Sequence, residues 1–73
     1  MTLFIFPHKL ERDLFLKYLK DVKLPIKGAD PLEFPEGVYA FSGQGKVQMA
    51  LAVQALCQKY PSIENVLCLG TAA

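Results

Sequence analysis

Apolar and polar positions alternate in blocks along this chain, and each block has its own period. Thr2–Phe6, "TLFIF", is apolar and rich in β-formers, which predicts a strand covered on both faces. Pro7 locks its own φ and biases Phe6 toward extended geometry, so the strand ends there. From Lys9 to Lys20 the period is helical: Leu10, Leu14, Tyr18 and Val22 line one stripe with Phe15 beside it, which predicts that this stripe faces the core. Lys17, Lys20 and Asp13 fall opposite, toward solvent. Pro25, Gly28, Pro31 and Pro35 interrupt Lys23–Gly37, leaving room for a brief edge strand around Leu24–Ile26. Val38–Phe41, "VYAF", predicts a second main strand, and Lys46–Tyr60 a second helix stopped by Pro61. Asn65–Gly70, "NVLCLG", predicts a buried parallel strand.

Strand, helix, strand, helix, strand implies right-handed βαβ units around a parallel sheet, an α/β fold of the layered αβα kind. Such a sheet must be covered on both faces, and two helices cover three strands sparingly. Residues 1–73 are therefore expected to be the N-terminal part of a larger α/β domain. The alternative is a complete small domain that covers itself by oligomerising. The 52% hydrophobic content agrees with a chain that buries much of itself. Cys57 and Cys68 sit in apolar runs without C-x-x-C spacing, which predicts buried, reduced thiols and a cytoplasmic setting. A net charge of +1, with both signs interspersed, gives no electrostatic footprint for nucleic acid. No apolar run approaches the ~20 residues of a membrane helix, and the first residues lack the basic lead of a signal peptide.

In open α/β sheets ligands sit beyond the carboxyl ends of the strands. Three segments reach that edge: "FPHKLERD", "SGQGKVQ" and "LGTAA". Gly43 and Gly45 suit a positive φ and close approach of a ligand to the main chain. Their spacing meets neither the dinucleotide fingerprint, since position 48 is Gln48, nor the Walker pattern, since Val47 follows Lys46. A tight strand-to-helix turn and a ligand wall both remain open. Glu11 projects into the apolar stripe at the first turn of the first helix. A carboxylate there either pairs with Arg12 or a lysine, or orients and deprotonates a water. His8 is the lone histidine and has no metal-ligand constellation around it. It serves helix entry or lines a pocket. Thr71 serves the turn after Gly70 or faces the crevice. No metal and no cofactor are expected.

Taken together, "FSGQGKVQMALAVQALCQKYPSIENVLCLGTAA" resembles the N-terminal part of the purine nucleoside phosphorylase and nucleosidase superfamily, above all its methylthioadenosine/S-adenosylhomocysteine nucleosidase branch. The likeness lies in the order and spacing of a Ser-Gly-x-Gly-Lys turn, an Ala-rich helix, an apolar strand and a Gly-(Thr/Ser)-Ala-Gly loop, mostly over residues 41–73. The resemblance implies a parallel-sheet αβα sandwich of the nucleoside phosphorylase type. It implies hydrolysis of the N-glycosidic bond of a purine nucleoside, with Glu11 placed where that branch handles the attacking water. His8, Gly43, Gln44, Thr71 and Ala72 would face the nucleoside, with Gln44 toward the sugar's 5′ substituent. Partners implied are the nucleoside itself, the remaining C-terminal part of the same protein, and a second copy in a homodimer or higher oligomer. Groups that grip the ribose hydroxyls and protonate the purine are expected beyond Ala73.

Two departures stand out. The superfamily places a β-hairpin before the Gly-x-Gly turn, for which the Pro-rich segment looks too short. Gln44 stands where the methylthioadenosine enzymes carry an apolar residue, which leaves futalosine hydrolysis or another nucleoside open. Phosphorolysis is the rival on the same fold, with Arg12 as the anion binder. A non-catalytic flavodoxin-like or nucleotide-binding module is the rival of another class.

Overall fold

The computed structural model describes residues 1–43 and 45–69. Its elements are β1 (Thr2–Phe6), α1 (Lys9–Lys20), β2 (Leu32–Phe34), β3 (Gly37–Phe41), α2 (Lys46–Lys59) and β4 (Asn65–Cys68). They form an α/β fold around one four-stranded sheet in the order β2-β3-β1-β4. β1 pairs in parallel with both β3 and β4, whereas β2 runs antiparallel to β3. The sheet is therefore mixed, and the purely parallel expectation is corrected at one edge. β2 also supplies the hairpin for which the Pro-rich segment had looked too short: Pro35 and Glu36 make its turn. Leu24–Ile26 forms no strand. Ile26 instead packs against the aromatic cluster described below.

Strand alternation sends the two faces of the sheet to different helices. Leu3, Ile5, Val38 and Ala40 meet Leu56, Met49, Ala52 and Val53 of α2. Phe4, Phe6, Tyr39 and Phe41 turn to the other face and meet Phe15 and Leu16 of α1. There Phe4 stacks on Tyr39 with ring centroids 4.4 Å apart, Phe34 meets Tyr39 edge-on, and Phe6 packs against Phe15 at 5.2 Å. Such offset and edge contacts add ~0.5–1.5 kcal/mol per pair beyond the area they bury.

The orientation of α1 reverses the reading of its apolar stripe. Leu10 is 66% exposed and Tyr18 83%, and Leu14 is exposed as well. Arg12, Asp13 and Leu16 are the residues that α1 buries. The aromatic layer takes Phe15 and Leu16, and that rotation carries Arg12 and Asp13 inward, where polar partners await them. Asp13 had been assigned to solvent; it is 6% exposed. The expectation for the last strand is corrected too. β4 is the sheet's edge, and all four of its residues are exposed. Cys68 is accordingly exposed and Cys57 half-buried, both as free thiols, rather than both buried. No helix among the described residues is long and apolar enough to cross a membrane.

Gly37 opens β3 opposite Thr2 of β1. A Cβ at this position would lie 2.0 Å from the Thr2 carbonyl oxygen and 3.1 Å from the Phe4 ring. Main chain cannot yield as a flexible side chain can, so Gly37→Ala should destabilise the fold by at least the ~1–3 kcal/mol typical of overpacking. Urea unfolding followed by circular dichroism measures it, and a loss within error would mean that β1 and β3 slide apart freely.

Lys20 at the end of α1 reaches Glu36 in the hairpin turn at 2.5 Å. The Lys20 hydrogen bond holds the Glu36 carboxyl below its ordinary value of 4.5. The same bond raises Lys20 above its ordinary 10.5, and burial raises Tyr39 above 10.0. A depressed carboxylate contributes stability above 4.5 that is lost as pH falls through its folded value. A raised lysine contributes stability below 10.5 that is lost as pH rises through its folded value. The melting temperature of wild type should thus exceed that of Glu36→Gln at neutral pH, and the gap should close at both extremes. A gap that persists at acid pH would show that the pair does not act through its charges.

Candidate functional site

The carboxyl ends of β1, β3 and β4 converge through main-chain bonds that continue the ladders past the strands. The Ser42 N–H donates to the Phe6 carbonyl at 2.9 Å, and the Leu69 N–H donates to the Ile5 carbonyl at 2.8 Å. The segment after β1, with His8 and the first turn of α1 that carries Glu11, therefore leaves the sheet next to the strand end that leads into Gly43, with the end of β4 on the other side of β1. Gln44, Thr71 and Ala72 lie outside the described residues.

His8 caps the start of α1 in extended geometry, and its carbonyl accepts the Arg12 N–H at 3.2 Å. Its ring Nε2 stands 4.0 Å from Glu11 Oε1. The His8 side chain is 45% exposed and that of Glu11 26%. Because the apolar stripe faces outward, Glu11 lies at its border and stays accessible to water; it is not sunk within a covered stripe. Gly43 and Gly45 both adopt positive φ, 99° and 101°. A Cβ at either would meet nothing within 4 Å. Conformation therefore requires the two glycines, and crowding does not. Ser42 braces the turn, its hydroxyl donating to the Gly43 carbonyl at 2.9 Å. Gly45 then caps α2 without a side-chain bond, and Lys46 is exposed.

Arg12 and Asp13 are what sequence patterning missed. The Arg12 side chain is fully buried. Its Nε and Nη2 donate to Asp13 Oδ1 at 3.1 and 3.0 Å, and its Nη1 donates to the Asp30 carbonyl at 3.1 Å. The guanidinium also lies 4.8 Å from the centre of the Phe41 ring, within cation–π range. Asp13 Oδ2 accepts Lys9 Nζ at 2.6 Å, and Lys9 donates also to the Ile26 carbonyl at 2.6 Å. The signal available in the sequence was Lys9 four residues before Asp13, a helical ion-pair spacing. Held this way and without exposure, Arg12 is not accessible to an external anion, which counts against the rival reading of it as the anion binder.

Among the described residues no group of three or more His, Cys, Asp or Glu side chains is arranged to hold a metal ion. An open depression of about 490 Å³ runs between α2 and β4, lined by Met49, Ala50, Val53, Val66 and Cys68. It lies across the sheet from α1, so it does not include Glu11. Comparisons of the chain with known protein families, curated proteins and solved structures give no match.

Proposed function

We propose that residues 1–73 supply the strand-end loops of a purine nucleosidase built as a nucleoside-phosphorylase-type αβα sandwich. The observation that carries this reading is the neighbourhood of two segments at the strand ends: the accessible Glu11 carboxylate stands on the first turn of α1, which follows β1, and the positive-φ Gly43 turn follows β3, whose end is tied to that of β1 through Ser42 and Phe6. Ligands of open α/β sheets bind at that edge. The ordered likeness of residues 41–73 to the superfamily supports the choice of a purine nucleoside, with a 5′-modified sugar included.

As the purine departs, positive charge builds on the ribose. Glu11 accepts a hydrogen bond from a water, turns it toward the anomeric carbon, and takes its proton as the new C–O bond forms. The electrons of the broken glycosidic bond leave with the purine, which a donor from the rest of the protein protonates. Gly43 leaves main chain, without a side chain, free to approach the sugar. Hydrolysis is favoured over phosphorolysis because the Glu11 carboxylate would repel a phosphate and Arg12 is occupied by Asp13, Asp30 and Phe41.

The test uses the full-length polypeptide that carries these residues, with adenosine, inosine and their 5′-methylthio analogues in phosphate-free buffer. Free base and free ribose should appear, added phosphate should not speed the reaction, and no ribose 1-phosphate should form. Phosphate-dependent turnover would move the protein to the phosphorylases. Nucleoside binding without turnover would favour the non-catalytic module.

A further inference from the structure

We propose that Arg12 is a positioning residue that sets Glu11 against the glycine turn, an inference that rests on reading Glu11 as the carboxylate that handles water. One buried side chain touches three parts of the fold. It grips Asp13 within the first turns of α1, the Asp30 carbonyl in the segment before β2, and the ring of Phe41, the last residue of β3. Phe41 is followed directly by Ser42 and Gly43. Glu11 lies between Lys9 and Arg12 in sequence, and both of those side chains are tied to main-chain carbonyls of residues 26–30. The backbone at Glu11 is therefore held from both sides, and Arg12 links that same turn to the end of β3.

Stability alone does not call for this arrangement. Well-packed apolar side chains of similar volume commonly serve as well as a buried ion pair or better. What the guanidinium adds is direction: a planar fork with several donors fixes angle and distance together, which a lysine ammonium does not. Displacement of a reacting group by ~1 Å can cost about 10²-fold in rate. Arg12 is placed to prevent such a displacement between Glu11 and Gly43.

The decisive variant is Arg12→Lys in the full-length protein, which keeps the charge and loses the fork. We expect kcat for nucleoside hydrolysis to fall by about tenfold or more with KM changed by less than about twofold. In a Glu11→Gln background the same substitution should have little further effect on kcat, because there is no carboxylate left to misplace. An equal loss in both backgrounds would overturn the proposal and leave Arg12 as a fold-holding residue. A second readout does not depend on activity: the NMR signals of the Glu11 side-chain carboxyl and the Gly43 amide should both shift in Arg12→Lys and stay in place in Lys17→Met, on the exposed side of α1. Unshifted signals in Arg12→Lys would equally overturn it. An inactive wild type sinks the nucleosidase reading, while the NMR comparison still decides the positioning. Should Arg12→Lys fail to fold, Lys9→Met at the more exposed end of the same network is measured in its place, with the same pair of signals expected to move.

Discussion

Asp13→Ala should cost about 3–5 kcal/mol of stability. The substitution removes the acceptor of two Arg12 bonds and of the Lys9 ammonium, while Arg12 itself stays without exposure. A buried guanidinium stripped of its carboxylate keeps the desolvation cost and loses the attraction that offset it. Urea denaturation followed by circular dichroism reads the loss directly. A loss below about 1 kcal/mol, the scale of an exposed ion pair, would mean that water reaches Arg12 and that the network is a surface feature.

Glu11→Gln should lower kcat by at least the ~10² typical of a positioned general base and leave folding intact. Size and hydrogen-bonding capacity persist, and the site is a quarter exposed at the border of α1, so the core does not register the change. What disappears is the charge that orients the water and takes its proton. Single-turnover assays of purine release by full-length wild type and variant make the comparison. Unchanged release would assign Glu11 to the helix start, where its neighbour His8 stands 4.0 Å away. Comparable losses in kcat and in melting temperature would assign it to the fold.

Much of the architecture was legible because its causes are local. Pro7 ends β1, and α1 spans Lys9–Lys20 as its helical period predicted. α2 ends at Lys59, where Tyr60 caps the helix and Pro61 follows. The hairpin was not legible. Leu32–Phe34 is a three-residue strand between two prolines, and its only warrant is the neighbour it pairs with across Pro35 and Glu36. At the strand ends, the order of segments was legible: His8 and Glu11 follow β1, and Gly43 follows β3. The Arg12–Asp13 network was not, because Asp13 falls opposite the apolar stripe and reads as solvated.

By itself the sequence determined the extents of β1, α1 and α2, that the sheet's inner strands are apolar on both faces, and that two positive-φ glycines form the turn after β3. These follow from properties each residue carries with it: proline's fixed φ, glycine's missing Cβ, the period of apolar side chains. Tertiary structure alone decided which side of α1 is buried. Leu10, Leu14 and Tyr18 make the better stripe, yet they face outward, while Arg12 and Asp13 face in. Burying a charge is costly or tolerable according to its partners, and the partners that meet Arg12 and Lys9 are the carbonyls of Asp30 and Ile26, 18 and 17 residues away, and the ring of Phe41. No local pattern contains that information, because it exists only once the segment before β2 has folded back against the helix.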